Sequence, residues 1–125
     1  MRSISAEALP QVIQHHIGAY RRHDAGAFMA TLAADALVND IQREFLGHQA
    51  IRTWADAEIF APRVTLEVEA AFEHAGNTVV RFRVDGDFDK SNLPTPLILT
   101  YYFTVQDDRI SQLIILHNKS AVSLT

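Results

Sequence analysis

The chain has 125 residues, enough for one domain with a single core and no staples. Its net charge is −4 and no Lys/Arg cluster is longer than Arg21-Arg22, which argues against nucleic acid, whose phosphates call for a basic face. There is no cysteine, so disulfide scaffolds, thiolate metal sites and cysteine nucleophiles are removed together.

Met1 to Pro10 lacks the basic start and apolar stretch of a secretory signal. The longest apolar runs, such as Leu113-Ile114-Ile115-Leu116, are far too short to span a bilayer. The expectation is one soluble, cytoplasmic domain over residues 1–125, with no membrane partner.

Leu9, Val12, Ile13, Ile17 and Tyr20 recur at helical spacing, which predicts a helix from Leu9 to Arg22 with Pro10 confined to its first turn. His16 lies on the same stripe. Asp24 is a suitable N-cap for a second, shorter helix carrying Phe28, Met29 and Leu32, closed by Ala33-Ala34-Asp35. Ala36 to Asp40 reads as a short strand. Gly47 then breaks the chain before a third helix, His48 to about Ile59, with Ile51 and Trp54 three apart.

From Val64 the period changes to two. Val64, Leu66, Val68, Ala70 and Phe72 alternate with polar or small residues, and Val80, Phe82 and Val84 do the same in the next strand, Thr78 to about Asp87. A three-residue loop, His74-Ala75-Gly76, pairs Glu69 with Arg81, Glu67 with Arg83, Val68 with Phe82 and Leu66 with Val84. A loop with Asn92, Pro94 and Pro96 leads to two more strands, Leu97 to Val105 and Ile110 to His117, joined by Asp107-Asp108. Helices first and antiparallel strands afterwards is an α+β plan, with helices on one face of the sheet.

Metal patterns are weak. Asp85-Gly86-Asp87-Phe88-Asp89 begins like a calcium loop, but Lys90 replaces the required Gly and Pro96 the bidentate Glu. His15 and His16 are adjacent, so on a helix they point about 100° apart and do not chelate one ion together. Neither a metal nor an organic cofactor is expected. Glu67, Glu69, Arg81 and Arg83 read as a charge ladder on the outer face of the sheet.

Four segments in this order resemble the NTF2-like superfamily, in particular its SnoaL-like and ketosteroid-isomerase-like branches. They are His23-Asp24-Ala25-Gly26-Ala27-Phe28, Asp35-Ala36-Leu37-Val38-Asn39-Asp40, Gly47-His48-Gln49-Ala50-Ile51-Arg52 and Asp107-Asp108-Arg109-Ile110. The resemblance implies a cone of three N-terminal helices packed against a curved, mostly antiparallel sheet. It also implies a pocket for a small, mostly apolar organic ligand, and a homodimer through the outer sheet face. It does not choose a reaction, because folds host many chemistries.

By the same resemblance Asp40 matches the general-base Asp of the isomerases. A base that moves a proton beside a carbonyl needs one carboxylate in an apolar pocket. The plain alternative is a strand-end residue bonding a backbone N–H. His16 falls where those enzymes carry an oxyanion-hole Tyr, with the same spacing of 24 to Asp40 (40 − 16). It is either a donor and proton shuttle or a buried histidine bonded to the backbone. Tyr101 falls near their second donor, and is otherwise a strand residue of high β-propensity. His117 shares the inner face of the last strand with Leu113 and Ile115, near the pocket mouth. Tyr20, Trp54, Phe82 and Phe103 are candidate pocket walls or core.

Three functions are consistent with this pattern. One is a cofactor-independent isomerase, cyclase or dehydratase working through Asp40 and His16. The second is a non-catalytic ligand-binding or accessory domain. The third, which the short chain disfavours, is a subunit of a larger enzyme.

Overall fold

The structure, a computed structural model, describes residues 1–117. In chain order its elements are β1 (Arg2–Ile4), α1 (Gln11–Arg21), α2 (Ala25–Ala30), β2 (Leu32–Asp40), β3 (Arg43–Leu46), α3 (Gly47–Ala55), β4 (Thr65–His74), β5 (Asn77–Asp85), β6 (Leu97–Gln106) and β7 (Arg109–His117). A π-helical turn, Asp56–Phe60, follows α3. The seven strands form one sheet in the order β1-β4-β5-β6-β7-β2-β3. Neighbours are antiparallel except β2 and β7, which run parallel with Val38 opposite Leu113 and Asp40 opposite Ile115. This is the expected α+β plan.

α1 buries Ile13, His16, Ile17 and Tyr20, the i, i+3, i+4, i+7 stripe of an amphipathic helix. Pro10 stands at its N-cap, where a missing N–H costs nothing. Asp24 caps α2 as expected, its carboxylate accepting the Ala27 N–H at 3.0 Å. α2 is shorter than the sequence suggests. It ends at Ala30, and Leu32-Ala33-Ala34-Asp35 belongs to β2 instead of closing the helix. Leu32 pairs with Ile110, whose N–H reaches the Thr31 carbonyl at 2.9 Å, so the sheet claims a segment that helix propensity would have kept.

The β4–β5 hairpin keeps the expected register at Leu66/Val84, Glu67/Arg83 and Val68/Phe82, by a different route. The loop has two residues, Ala75 and Gly76, both at positive φ as in type I′ hairpins. The residue thus freed is taken up by a β-bulge at Glu69, and Arg81 faces Ala70 rather than Glu69. Past the bulge the faces exchange. Ala71 points into the core with Val80, while Ala70 and Phe72 move to the outer face, where the Arg81 guanidinium lies 5.6 Å from the Phe72 ring. Glu69 pairs diagonally with Arg83 at 3.4 Å.

Two short strands escape the sequence pattern, β1 and β3. β3 returns from β2 through Ile41 and Gln42, both at positive φ. The core between helices and sheet is built on Ile13, Phe28, Ile51, Phe82, Phe103 and Leu113, all fully buried. Among the described residues no helix is long and apolar enough to cross a membrane.

Candidate functional site

Helices and strands from both halves of the chain converge on a cavity of about 400 Å³. α1 contributes Tyr20, β2 contributes Asp40 at its last residue, α3 contributes Trp54, β6 contributes Tyr101 and β7 contributes Ile115. Apolar walls come from Ile59, Val64, Val84, Phe88, Leu97 and Leu99. The π-helical turn sets Ala57 and Glu58 among the lining residues. A larger hollow of about 660 Å³ runs along α1 and the β6–β7 turn, past Gln11, His15, Arg22 and Arg109. It contains none of the candidate residues, and its one carboxylate, Asp108, is exposed on the β6–β7 turn, so the smaller cavity is the better site.

Asp40 is the chemical centre of that cavity, with its side chain only 14% exposed. Both of its protein partners meet one oxygen: Oδ2 accepts the Trp54 indole N–H at 3.0 Å and an Arg43 N–H at 2.5 Å. Among the described residues Oδ1 has no hydrogen-bond partner, which leaves a carboxylate oxygen for a ligand. Arg43 in turn forks onto Glu58 at 2.6 and 2.9 Å. That bond and the nearby acidic charges hold its guanidinium even more firmly protonated than usual. One cation thus bridges two carboxylates at the edge of the cavity.

Tyr20 and Tyr101 complete the polar end. Burial raises both phenols well above their ordinary values, and the Asp40 charge pushes in the same direction. Both phenols line the cavity beside Asp40. Two neutral donors and one carboxylate on apolar walls can bind a carbonyl, polarise it and exchange a proton beside it.

The remaining candidates fall elsewhere. His16 lies one helical turn before Tyr20 and is buried, but it does not line the cavity. Its ring packs on Phe28 at 4.5 Å and Phe103 at 5.7 Å. Thr31 donates its hydroxyl proton to the Phe28 carbonyl at 2.7 Å, so at 2.8 Å its oxygen must accept from His16 Nδ1–H. His16 Nε2 is then a buried acceptor with no partner. Desolvation lowers the His16 pKa to about 3, so the ring is neutral at ordinary pH. The expectation of His16 beside Asp40 is corrected: the pocket position on α1 belongs to Tyr20.

Phe82 and Phe103 are fully buried behind the wall, with Phe82 edge-on to the Tyr101 ring at 4.9 Å and Phe103 at 5.9 Å. They orient Tyr101 rather than touch the cavity. His117 does lie on the inner register of β7, opposite Leu99, but is exposed and off the cavity wall. Sequence reading missed Arg43, Glu58 and Phe88. Phe88 had a signal, since it continues the inward alternation Val80, Phe82, Val84, Gly86. Arg43 had none, because the Ile41-Gln42 turn carries no Gly, Asn or Asp to mark a hairpin.

Comparison with known proteins agrees with this fold. A structure from Sinorhizobium meliloti, provisionally named a polyketide cyclase, is 31% identical and covers 90% of this chain and 100% of its own, with a TM-score of 0.80. A protein from Sphaerobacter thermophilus is 22% identical, covering 92% and 100%, with a TM-score of 0.72. A structure from Kribbella flavida, provisionally named a ketosteroid isomerase, shares the fold at 11% identity and a TM-score of 0.72, covering 89% of this chain and 78% of its own. No curated protein matches the chain. The profile of the SnoaL-like domain matches residues 13–113, and the chain belongs to that family.

Proposed function

We propose that the protein binds a small, mostly apolar carbonyl compound in the 400 Å³ cavity and moves a proton on the carbon beside the carbonyl. Asp40 takes and returns that proton through Oδ1, while Tyr101 donates to the carbonyl oxygen and Tyr20 stands beside them on the cavity wall as a second hydroxyl. The observation that carries this reading is the convergence of both Asp40 partners on Oδ2, which holds the carboxylate in position and leaves its other oxygen open. Isomerisation, cyclisation and dehydration all begin with such a step, and it calls on no group outside the chain.

The test needs no knowledge of the natural substrate. Exchange of the α-protons of cyclohexanone or 2-cyclohexenone in deuterated buffer, followed by NMR, reads the step directly. Asp40→Asn keeps an oxygen for the Trp54 N–H but removes the base, and is expected to slow protein-dependent exchange by about 10²–10⁴-fold. Tyr101→Phe is expected to slow it by about 10²–10³-fold. Exchange unchanged in Asp40→Asn would remove Asp40 from the chemistry.

One observation favours a second reading. The Asp40–Arg43–Glu58 bridge ties the β2–β3 hairpin to the π-helical turn after α3, which is what a structural clamp would do in a binding protein without turnover. In that case cyclohexanone binds with similar affinity to wild type and Asp40→Asn, and neither exchanges protons above the buffer rate. The proposal also includes a second copy of the chain on the outer sheet face, where Phe72, Tyr102, Ile114 and the exposed Leu116 are apolar. Sedimentation equilibrium of wild type against Tyr102→Glu tests it, with a shift toward monomer expected for the variant.

A further inference from the structure

A second cavity of about 250 Å³ adjoins the first, and the two share Val84, Phe88 and Leu97 as walls. Val84 and Leu97 are paired strand residues of β5 and β6, so their positions belong to the sheet. Phe88 is different. It lies in the connection between those strands and is the one loop residue among the three shared walls.

The loop around it is tied down. Asp87 N–H bonds the Pro62 carbonyl at 2.7 Å, and Lys90 reaches the Gly86 carbonyl at 2.6 Å and the Asp85 carboxylate at 3.1 Å. The Lys90 ammonium also stands 5.1 Å from the centre of the Phe88 ring. The ring packs so closely on Gly86 that a Cβ there would come within 3.0 Å of both Phe88 and the Val64 backbone. The backbone is held on either side of Phe88, and the ring is a partition laid across a gap.

We infer that the two cavities are compartments of one ligand site, with Phe88 as the partition that decides how long a ligand it accepts. This rests on the carbonyl reading of the first compartment and extends it to a substrate class. The ligand is an elongated carbonyl compound with its polar head at Asp40 and Tyr101 and a hydrocarbon tail passing Phe88 toward Leu93, Pro94 and Pro96. The tail is uncharged, because the two cations of the outer compartment are already partnered, Arg83 by Glu69 and Lys90 by Asp85. Size points the same way. At 400 Å³ the first compartment is near the small end of ligand pockets, and the second brings the site to mid-range.

The chain provides its own reporter, since Trp54 is the single tryptophan and lines the first compartment. The probes are a homologous series, 2-hexanone to 2-dodecanone, titrated against Trp54 fluorescence. Each methylene buried should tighten binding by about fourfold, and in wild type the gain is expected to continue past the length that fills the first compartment. Leu93→Glu places a charge in the outer compartment only. It is expected to leave 2-hexanone within twofold of wild type and to weaken 2-dodecanone by tenfold or more. Phe88→Ala, which joins the spaces, is expected to raise the preference for 2-dodecanone over 2-hexanone.

Equal effects of Leu93→Glu on both ketones, or none on either, would overturn the two-compartment site while leaving the carbonyl site standing. If even 2-hexanone fails to bind wild type, the carbonyl reading falls first and this inference with it.

Discussion

His16 and Tyr20 are one turn apart on the same face of α1, both are buried, and they live in different chemical worlds. His16 is sealed between Phe28 and Phe103, with one nitrogen spent on Thr31 and the other on nothing. Tyr20 reaches the cavity, where Tyr101 and Asp40 act on its hydroxyl. A helical stripe tells which residues face inward, but not how deep each lies. One turn advances the chain by about 5.4 Å, and here that distance separates a packed layer from an open one.

The largest expected effect that sharpens this contrast is in acid. A His16 pKa of about 3 in the folded state, against 6.5 when unfolded, means that the unfolded chain binds the extra proton throughout that window. Stability attributable to His16 is therefore complete above pH 6.5 and falls as the pH drops toward 3, by up to about 1.4 kcal/mol per pH unit. By pH 4 the loss amounts to roughly 3 kcal/mol. Urea unfolding of wild type and His16→Leu at pH 7 and pH 4 isolates it, and the variant should lose that much less. A matching pH dependence in both proteins would mean that His16 is not the buried neutral group described.

Thr31→Val comes next. It removes the acceptor of His16 Nδ1–H inside an apolar layer, at an expected cost of about 1–3 kcal/mol, with ketone proton exchange unchanged. On the other side of the comparison, Tyr20→Phe should slow exchange by about tenfold, the loss of roughly one net hydrogen bond, whereas His16→Leu should leave it within twofold. If His16→Leu slowed exchange more than Tyr20→Phe, the assignment of the two residues would have to be reversed.

The smallest effect concerns the hairpin that carries Asp40. Ile41 is β-branched and held at φ 50, a conformation that suits Asn or Gly, and the residue is 39% exposed. Ile41→Asn keeps the N–H that bonds the Ile115 carbonyl at 3.0 Å and should stabilise the protein by about 1 kcal/mol in thermal unfolding. A loss of stability would indicate that the Ile41 side chain has packing partners of its own.

Local pattern determined a good deal of this protein. The stripe of α1, the Asp24 cap, the Asp107-Asp108 turn and the Leu66/Val84 register depend on neighbours in sequence or on one hairpin partner, and all could be read without coordinates. Asp40 and Tyr101 were legible as candidates through the family resemblance of the segments around them, with Asp40 ending an apolar strand and Tyr101 lying in one. In the β4–β5 hairpin the register holds at Leu66, Glu67 and Val68 although the loop is one residue shorter, because a bulge at Glu69 absorbs the difference, and the expected Glu69/Arg81 pair is lost to it. A bulge leaves no composition signal, so the outward turn of Phe72 was invisible.

Tertiary structure alone decided the depth of His16, the meeting of Tyr20 and Tyr101 on one cavity, the reach of Arg43 to Glu58 and the wall formed by Phe88. Each joins residues separated by many positions, through the parallel join of β2 to β7 and a loop lying against the chain before β4. Those contacts exist only once the sheet has closed over the helices, since no periodicity within a segment records its distance from another.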